Sequence, residues 1–332
     1  MLVLYIGLFI ISCGLFYLAG KLVVDSLARI AKFLGWREFV VAFFIMASAA
    51  SLPNLIVGLS AAFRGIPELS FGDVSGNNLA ALTLVVAIAV LLSKGAISAE
   101  SRTIRTSAFF VTAAALLPLV LILDKNLSRI DGIALIALFV IYIAWLFSKK
   151  ERFTKAYAGR KEDPVKSFKH FLKDLWKISL GLVIFIVAAQ GVVMSAQVFA
   201  SSFGVSIILV GILITGLGST LPELYFDAVS ALKGQGWMVL GDLMGAIIIP
   251  STLVLGIISL ISPIYINDFS SLAVVRIFIV IAAVSFPFFV RSGKAIGKKE
   301  ALFLLFLYIT FLILEIFLKD AALSSGFNFL FR

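Results

Sequence analysis

Ten predominantly apolar stretches of about 20 residues follow one another along this 332-residue chain, separated by short charged connections. A helix of that length crosses a hydrocarbon core about 30 Å thick. Inside lipid every backbone polar group must be satisfied within the chain, so a succession of such stretches predicts an all-α integral membrane protein of about ten transmembrane helices. Composition agrees, since 61% of residues are apolar and only 14% are charged, which excludes an ordinary soluble domain. The expected spans are 2–22, 39–63, 70–92, 106–123 and 130–147, then 178–201, 206–232, 238–261, 272–290 and 301–318. The first also reads as a longer tilted helix reaching Leu34. Its start lacks the charged n-region and cleavage site of a signal peptide, so it is expected to remain in the protein.

The chain repeats itself. Shifted by 169 residues, the segment from Ser51 falls without a gap on the segment from Thr220. The aligned identities include Pro53/Pro222, Gly65/Gly234, Gly72/Gly241, Asp73/Asp242, Gly76/Gly245 and Thr83/Thr252. Two apolar helices pair Leu with Leu by chance, but they do not align Pro, Gly and Asp in order. Each half holds five spans, an odd number, so the second copy enters the membrane from the opposite side. Inverted repeats of this kind are a plan of secondary transporters, with the substrate site near the midplane where discontinuous helices meet. Pro53 and Pro222 supply the expected discontinuities, because proline removes a backbone donor and leaves a preceding carbonyl free.

Basic residues predict orientation, since short loops rich in Lys and Arg stay on the cytoplasmic side. With the N-terminus outside, 22 of the 28 Lys and Arg residues fall in inward segments and 6 outside. The net charge of +10 then belongs to a cytoplasmic face apposed to anionic lipid; nothing else in the chain supports nucleic-acid binding. The central linker, 148–177, is expected to be cytoplasmic. Its second part, around Phe168, Phe171, Leu172, Leu175 and Trp176, reads either as an amphipathic helix on the inner membrane surface or as a solvated connection. The single histidine, His170, lies there, and Cys13 is the single cysteine, so neither a histidine site in the membrane nor an intrachain disulfide is expected.

Ionisable residues within membrane spans are read as functional by default. Here they are Asp73, Glu223, Asp227 and Asp242. Glu223 follows the helix-breaking Pro222, and Asp227, four residues on, shares its helical face. With Ser51, Asn54, Asn77, Asn78, Ser219 and Thr220 they form an oxygen-only set, which suits hard cations such as calcium or sodium. Structural readings stand beside this one. Asp73 and Asp242 fit as helix caps, Asn77 and Asn78 as interhelical hydrogen-bonding residues, and Asp227 as a hydrated group near the cytoplasmic end. Glu315, close to Lys319, reads as interfacial.

These motifs resemble the alpha repeats of the calcium/cation antiporter superfamily, to which the sodium/calcium exchangers belong. Gly218, Ser219, Thr220, Leu221, Pro222 and Glu223 match the second-repeat motif, Ser51, Leu52 and Pro53 match the first, and Gly72, Gly76, Gly241 and Gly245 match the glycines of the helices that follow. The resemblance implies a first half at 1–147 with an alpha repeat at 39–92, a linker at 148–177, and a second half at 178–332 with an alpha repeat at 206–261. It also implies that the first and sixth helices slide past the other eight. The chain departs from the family at several points. Asn54 replaces the first glutamate, Ala50 a threonine, and Asp73 and Asp242 the usual asparagines; the Ser or Asn after Gly76 and Gly245 is Asn77 and Ala246, and Ala81 and Pro250 replace the usual Asn or Asp.

The function expected is secondary-active antiport, calcium or a related cation against sodium, with Glu223, Asn54, Ser51, Ser219, Thr220, Asp73, Asp242, Asn77 and Asp227 as candidate cation ligands. The partners expected are the lipid bilayer and the transported cations, without a cofactor. Proton coupling and a passive cation pathway are the alternatives. No HExxH, histidine-paired nucleophile or aspartate-rich loop points to an enzyme.

Overall fold

Lipid-facing helices need only apolar surface, so this chain's architecture is decided by where glycine, proline and polar residues interrupt that surface. The computed structural model describes residues 2–33, 48, 51–100, 102–148, 164–266 and 272–325. Ten helices run through them: α1 (Leu2–Phe33), α2 (Leu52–Phe63), α3 (Glu68–Leu92), α4 (Arg102–Leu121), α5 (Arg129–Phe147), α6 (Pro164–Phe203), α7 (Ile207–Leu232), α8 (Gly236–Ile261), α9 (Ala273–Ser292) and α10 (Lys298–Ser325). Among the described residues nine helices are long and apolar enough to cross a membrane, and α2 is a shorter apolar helix. The earlier part of the expected second span, Ala50 included, and the first part of the linker lie outside the described residues.

The 169-residue repeat is written into the backbone. Gly65 and Gly234, at φ 74° and 72°, make the same left-handed turn after α2 and α7. Lys125 and Lys294, the two described non-glycine residues with positive φ, are also 169 apart. The starts of α5 and α10 are capped alike, the Ser128 amide donating to Asp131 Oδ2 at 2.8 Å and the Gly297 amide to Glu300 Oε2 at 3.0 Å. Two-residue strands follow the same symmetry. β1 (Ile97–Ser98) pairs antiparallel with β4 (Ala295–Ile296), and β2 (Asn126–Leu127) with β3 (Ile264–Tyr265). Exchanging the two halves turns one pairing into the other.

The halves meet where α3 crosses α7, and glycine makes the crossing possible. A Cβ at Gly72 would strike the Ile208 carbonyl and lie 3.0 Å from Gly211 Cα, and one at Gly76 would strike the Ile212 carbonyl. From the other side, a Cβ on Gly216 would lie 2.8 Å from the Asp73 carbonyl oxygen and 2.9 Å from the Asn77 amide. Small residues that let backbones touch are how helices associate in lipid, where apolar side chains gain little by leaving one apolar medium for another. All three central helices carry a π-helical turn: Gly211–Thr215 in α7, Ala81–Val85 in α3 and Ile249–Val254 in α8. Such turns loosen the backbone ladder. In α3 the Thr83 hydroxyl donates to the Leu79 carbonyl, and in α8 Thr252 does the same to Ile248.

Two expectations change. The stretch 164–177 is not a separate surface helix, because it is the first part of α6, one continuous helix of 40 residues. At 1.5 Å per residue it is about 60 Å long and outreaches the bilayer. Its extension runs beside that of α1, which indeed exceeds the 22-residue span, and Asp174 accepts both Arg29 Nε at 3.0 Å and Nη2 at 2.8 Å. Glu315, expected to be exposed at the interface, is buried at 6% exposure, because α10 turns that face inward.

Replacing Gly76 by Val is expected to force α3 away from α7 and to lower thermal stability in detergent by about 1–3 kcal/mol or more, the range for overpacking. Gly95→Ala, where an added Cβ meets nothing within 4 Å, is expected to leave the melting temperature unchanged.

Candidate cation site

The sequence of α7 places a polar residue every four positions, at Thr215, Ser219, Glu223 and Asp227, and at that spacing they fall on one helical face. All four are buried, between 1% and 3% exposed. Thr215 was not among the sequence candidates, although the four-residue spacing marks it; its hydroxyl donates to the Gly211 carbonyl at 3.1 Å. The π-helical turn ends at Thr215, the first residue of this stripe, and Pro222 sits within a continuous helix from Gly216 to Leu232. The expected interruption of α7 is therefore a loosened turn upstream of the proline rather than a break at it. In α2 the described helix begins with Pro53 in its first turn. Pro222 cannot donate to the Gly218 carbonyl four residues earlier, which leaves that oxygen without its helical donor beside Glu223.

The face of α7 meets α3 through hydroxyls. Ser219 Oγ donates toward Asp73 Oδ1 at 3.3 Å, and Thr220 Oγ1 lies 2.7 Å from Asn77 Oδ1 and 2.6 Å from the Gly216 carbonyl, one proton serving two acceptors. Asn77 Nδ2 donates in turn to the carbonyl of Ala246 at 3.3 Å, its own counterpart 169 residues on. A residue touching its repeat equivalent marks the pseudo-two-fold axis, so the axis passes between α3 and α8 here. Beside it Asn78 Nδ2 donates to Ser251 Oγ at 2.7 Å.

What stands out is the acceptor chemistry left open. Asp73 Oδ2, both oxygens of Glu223, both of Asp227 and Asp242 Oδ2 have no hydrogen-bond partner among the described residues, and neither has either side-chain polar atom of Asn54. Each of these residues is at most 2% exposed. Buried polar groups are costly when unpaired, and carboxylates most of all. Glu223 lies within electrostatic reach of Asp242 and Asp73, and Asp227 within reach of Asp242 and Glu223. The structure thus brings Ser219, Thr220, Glu223, Asp73 and Asn77 together around α7 and α3, with Asp242 and Asp227 next to Glu223. Ser51 and Asn54 are buried at the start of α2. Among the described residues no three of His, Cys, Asp and Glu converge as a metal cage. A cation held here therefore draws on hydroxyl, amide and backbone oxygens as well as carboxylates.

Comparison with known proteins agrees with this architecture. The sodium/calcium exchanger protein family matches residues 4–148 and 173–317. The sodium/calcium exchanger MaX1 of Methanosarcina acetivorans is 24% identical over 351 residues, covering 94% of this chain and 97% of MaX1. The inner membrane protein YrbG of Escherichia coli is 26% identical over 274 residues, covering 79% and 82% of the two chains. A solved structure of the sodium-calcium exchanger NCX_Mj, soaked with Na+ and Sr2+, superposes with a TM-score of 0.65 at 24% identity. It covers 93% of this chain and 98% of NCX_Mj, a likeness of fold.

Thr220→Val keeps the shape and removes the donor to Asn77, so it is expected to cost about 0.5–2 kcal/mol, the range for interhelical hydrogen bonds in membranes. Thermal unfolding in detergent without added cations checks this.

Proposed function

Because this chain belongs to the sodium/calcium exchanger family, we propose that it is a secondary-active cation antiporter that exchanges calcium or a related cation for sodium by alternating access. One observation carries the reading. Glu223, 2% exposed and with both oxygens unpartnered, sits one residue past Pro222 at the crossing of the two repeats. A carboxylate kept without a protein partner at such depth is stabilised by a bound cation. The central site is assigned to Glu223 with Asp73, Ser219, Thr220 and Asn77 around it, and to Ser51 and Asn54 from the equivalent position of the first copy. Hard oxygen donors of this kind favour calcium and sodium over thiophilic metals.

The protein acts as a multi-pass antiporter with the halves at 1–147 and 178–332. Its N-terminus is outside and the 148–177 segment cytoplasmic, a reading supported by the 22-to-6 distribution of Lys and Arg. The bilayer and the transported cations are its partners.

Transport is tested in sealed vesicles with an imposed sodium gradient. The parent protein is expected to move calcium, and Glu223→Gln, which keeps volume and one acceptor oxygen, to fold normally but lose transport. Calcium uptake by Glu223→Gln equal to the parent's would remove Glu223 from the site. Flux driven by a pH gradient in sodium-free buffer would instead make the proton the coupling ion. Orientation is tested separately in a Cys13→Ala background. An impermeant thiol reagent added outside is expected to label Asp124→Cys and to spare Lys94→Cys; both positions are exposed in connections between helices that span.

A further inference from the structure

The polar face of α7 continues past Glu223. Asp227 lies one helical turn nearer the turn that joins α7 to α8, and Asp242 enters from the other side of that turn. Asp227 precedes Gly234 by seven residues and Asp242 follows it by eight, so both stand about 10–12 Å along their helices from the turn. Glu223 is eleven residues from it, about 16 Å, close to half the thickness of a 30 Å hydrocarbon core. The two aspartates therefore stand, along their helices, between the level of the central site and one end of the bundle.

They are also where the halves differ. The counterpart of Asp242 is Asp73, but the counterpart of Asp227 is Gly58. Around Gly58 an added Cβ would strike the Ile258 side chain and lie 2.6 Å from Ser70 Oγ, so the first copy closes this position against any side chain. The fold consequently builds this part of the repeat without a side chain, and packing does not account for Asp227. Both Asp227 oxygens are unpartnered at 1% exposure, and the charged groups that act on it are Asp242 and Glu223, all of one sign. Glu223, itself buried with both oxygens unpartnered, faces Asp242 as well, together with Asp73. Asp227 and Asp242, with Glu223 one turn away and no described cation beside them, call for positive charge from outside the protein.

We propose that Asp227 and Asp242 form a second cation site, distinct from the central one, which takes a single monovalent hard cation, sodium under the antiport reading on which this rests. Calcium takes six to eight oxygens, and the described residues hold no convergent trio of acidic, histidine or cysteine ligands. A monovalent ion matches the pair better, since it is held by fewer fixed donors than calcium's six to eight. The first copy, with Gly58, has no such site, so the extra station exists on one side of the membrane only.

The test is direct counting of bound ions on the purified full-length protein, with radioactive sodium and calcium in equilibrium dialysis. Asp227→Asn and Asp242→Asn are each expected to bind one sodium fewer per chain than the parent while the calcium stoichiometry stays the same. Asp227→Gly, which copies the first repeat, is expected to behave as Asp227→Asn and guards against an effect of the amide. Monodispersity and melting temperature confirm that each variant is folded. Sodium stoichiometry that survives all three substitutions overturns the second site and leaves the central site standing, as does a pair that exchanges only protons. A parent protein that binds neither ion overturns the antiport reading and the second site with it.

Discussion

The interior depends on how closely the backbones of α3 and α7 approach. Neither helix gains much by leaving lipid for protein, so contact has to come from complementary shape and from polar groups that pair across the gap. Gly72, Gly76, Gly211 and Gly216 remove the side chains that would hold the helices apart. Once the backbones touch, Asp73 and Asn77 come within reach of Ser219 and Thr220 without any long side chain spanning the distance. The same closeness excludes water, and that is why unpartnered carboxylates at this crossing carry so much weight.

Much of this was legible in the sequence because proline, glycine and aspartate are constrained by backbone geometry. Pro53/Pro222, Gly65/Gly234 and Asp73/Asp242 revealed the repeat, and Gly65 and Gly234 prove to share a left-handed turn that side chains rarely adopt. The stripe of Glu223 and Asp227 on one face of α7 was visible from spacing alone. Other features left no such trace. The π-helical turns have no local residue signature, and strands of two residues are too short for periodicity to mark them. The extension of α6 was obscured by its lysines. Its helical character depends on a partner far away in sequence, the end of α1, with Arg29 and Asp174 joined across 145 residues.

Backbone and chemistry have been kept to different degrees. The two halves share turns, caps and threonine back-bonds at a constant offset, yet Asn54 stands opposite Glu223 and Gly58 opposite Asp227. Symmetry is therefore a property of the frame and of the Asp73/Asp242 pair, while the charges of Glu223 and Asp227 belong to one copy. An antiporter built on such a frame has no reason to present the same ligands to both sides of the membrane.

The strand pairs bear on how the molecule is made. β1 finds its partner β4 only after nearly the whole chain has been synthesised, and β2 waits in the same way for β3. Because each pairing becomes the other when the halves are exchanged, the contact has the form of an isologous dimer interface, closed between two copies that happen to be covalently joined. The first five helices can insert as they emerge, but the glycine faces of α3 and the strands flanking α4 have nothing to pack on until the second copy arrives. Pairing of the two inserted halves then waits on synthesis of the second, and β4 meets a strand that was made 197 residues before it.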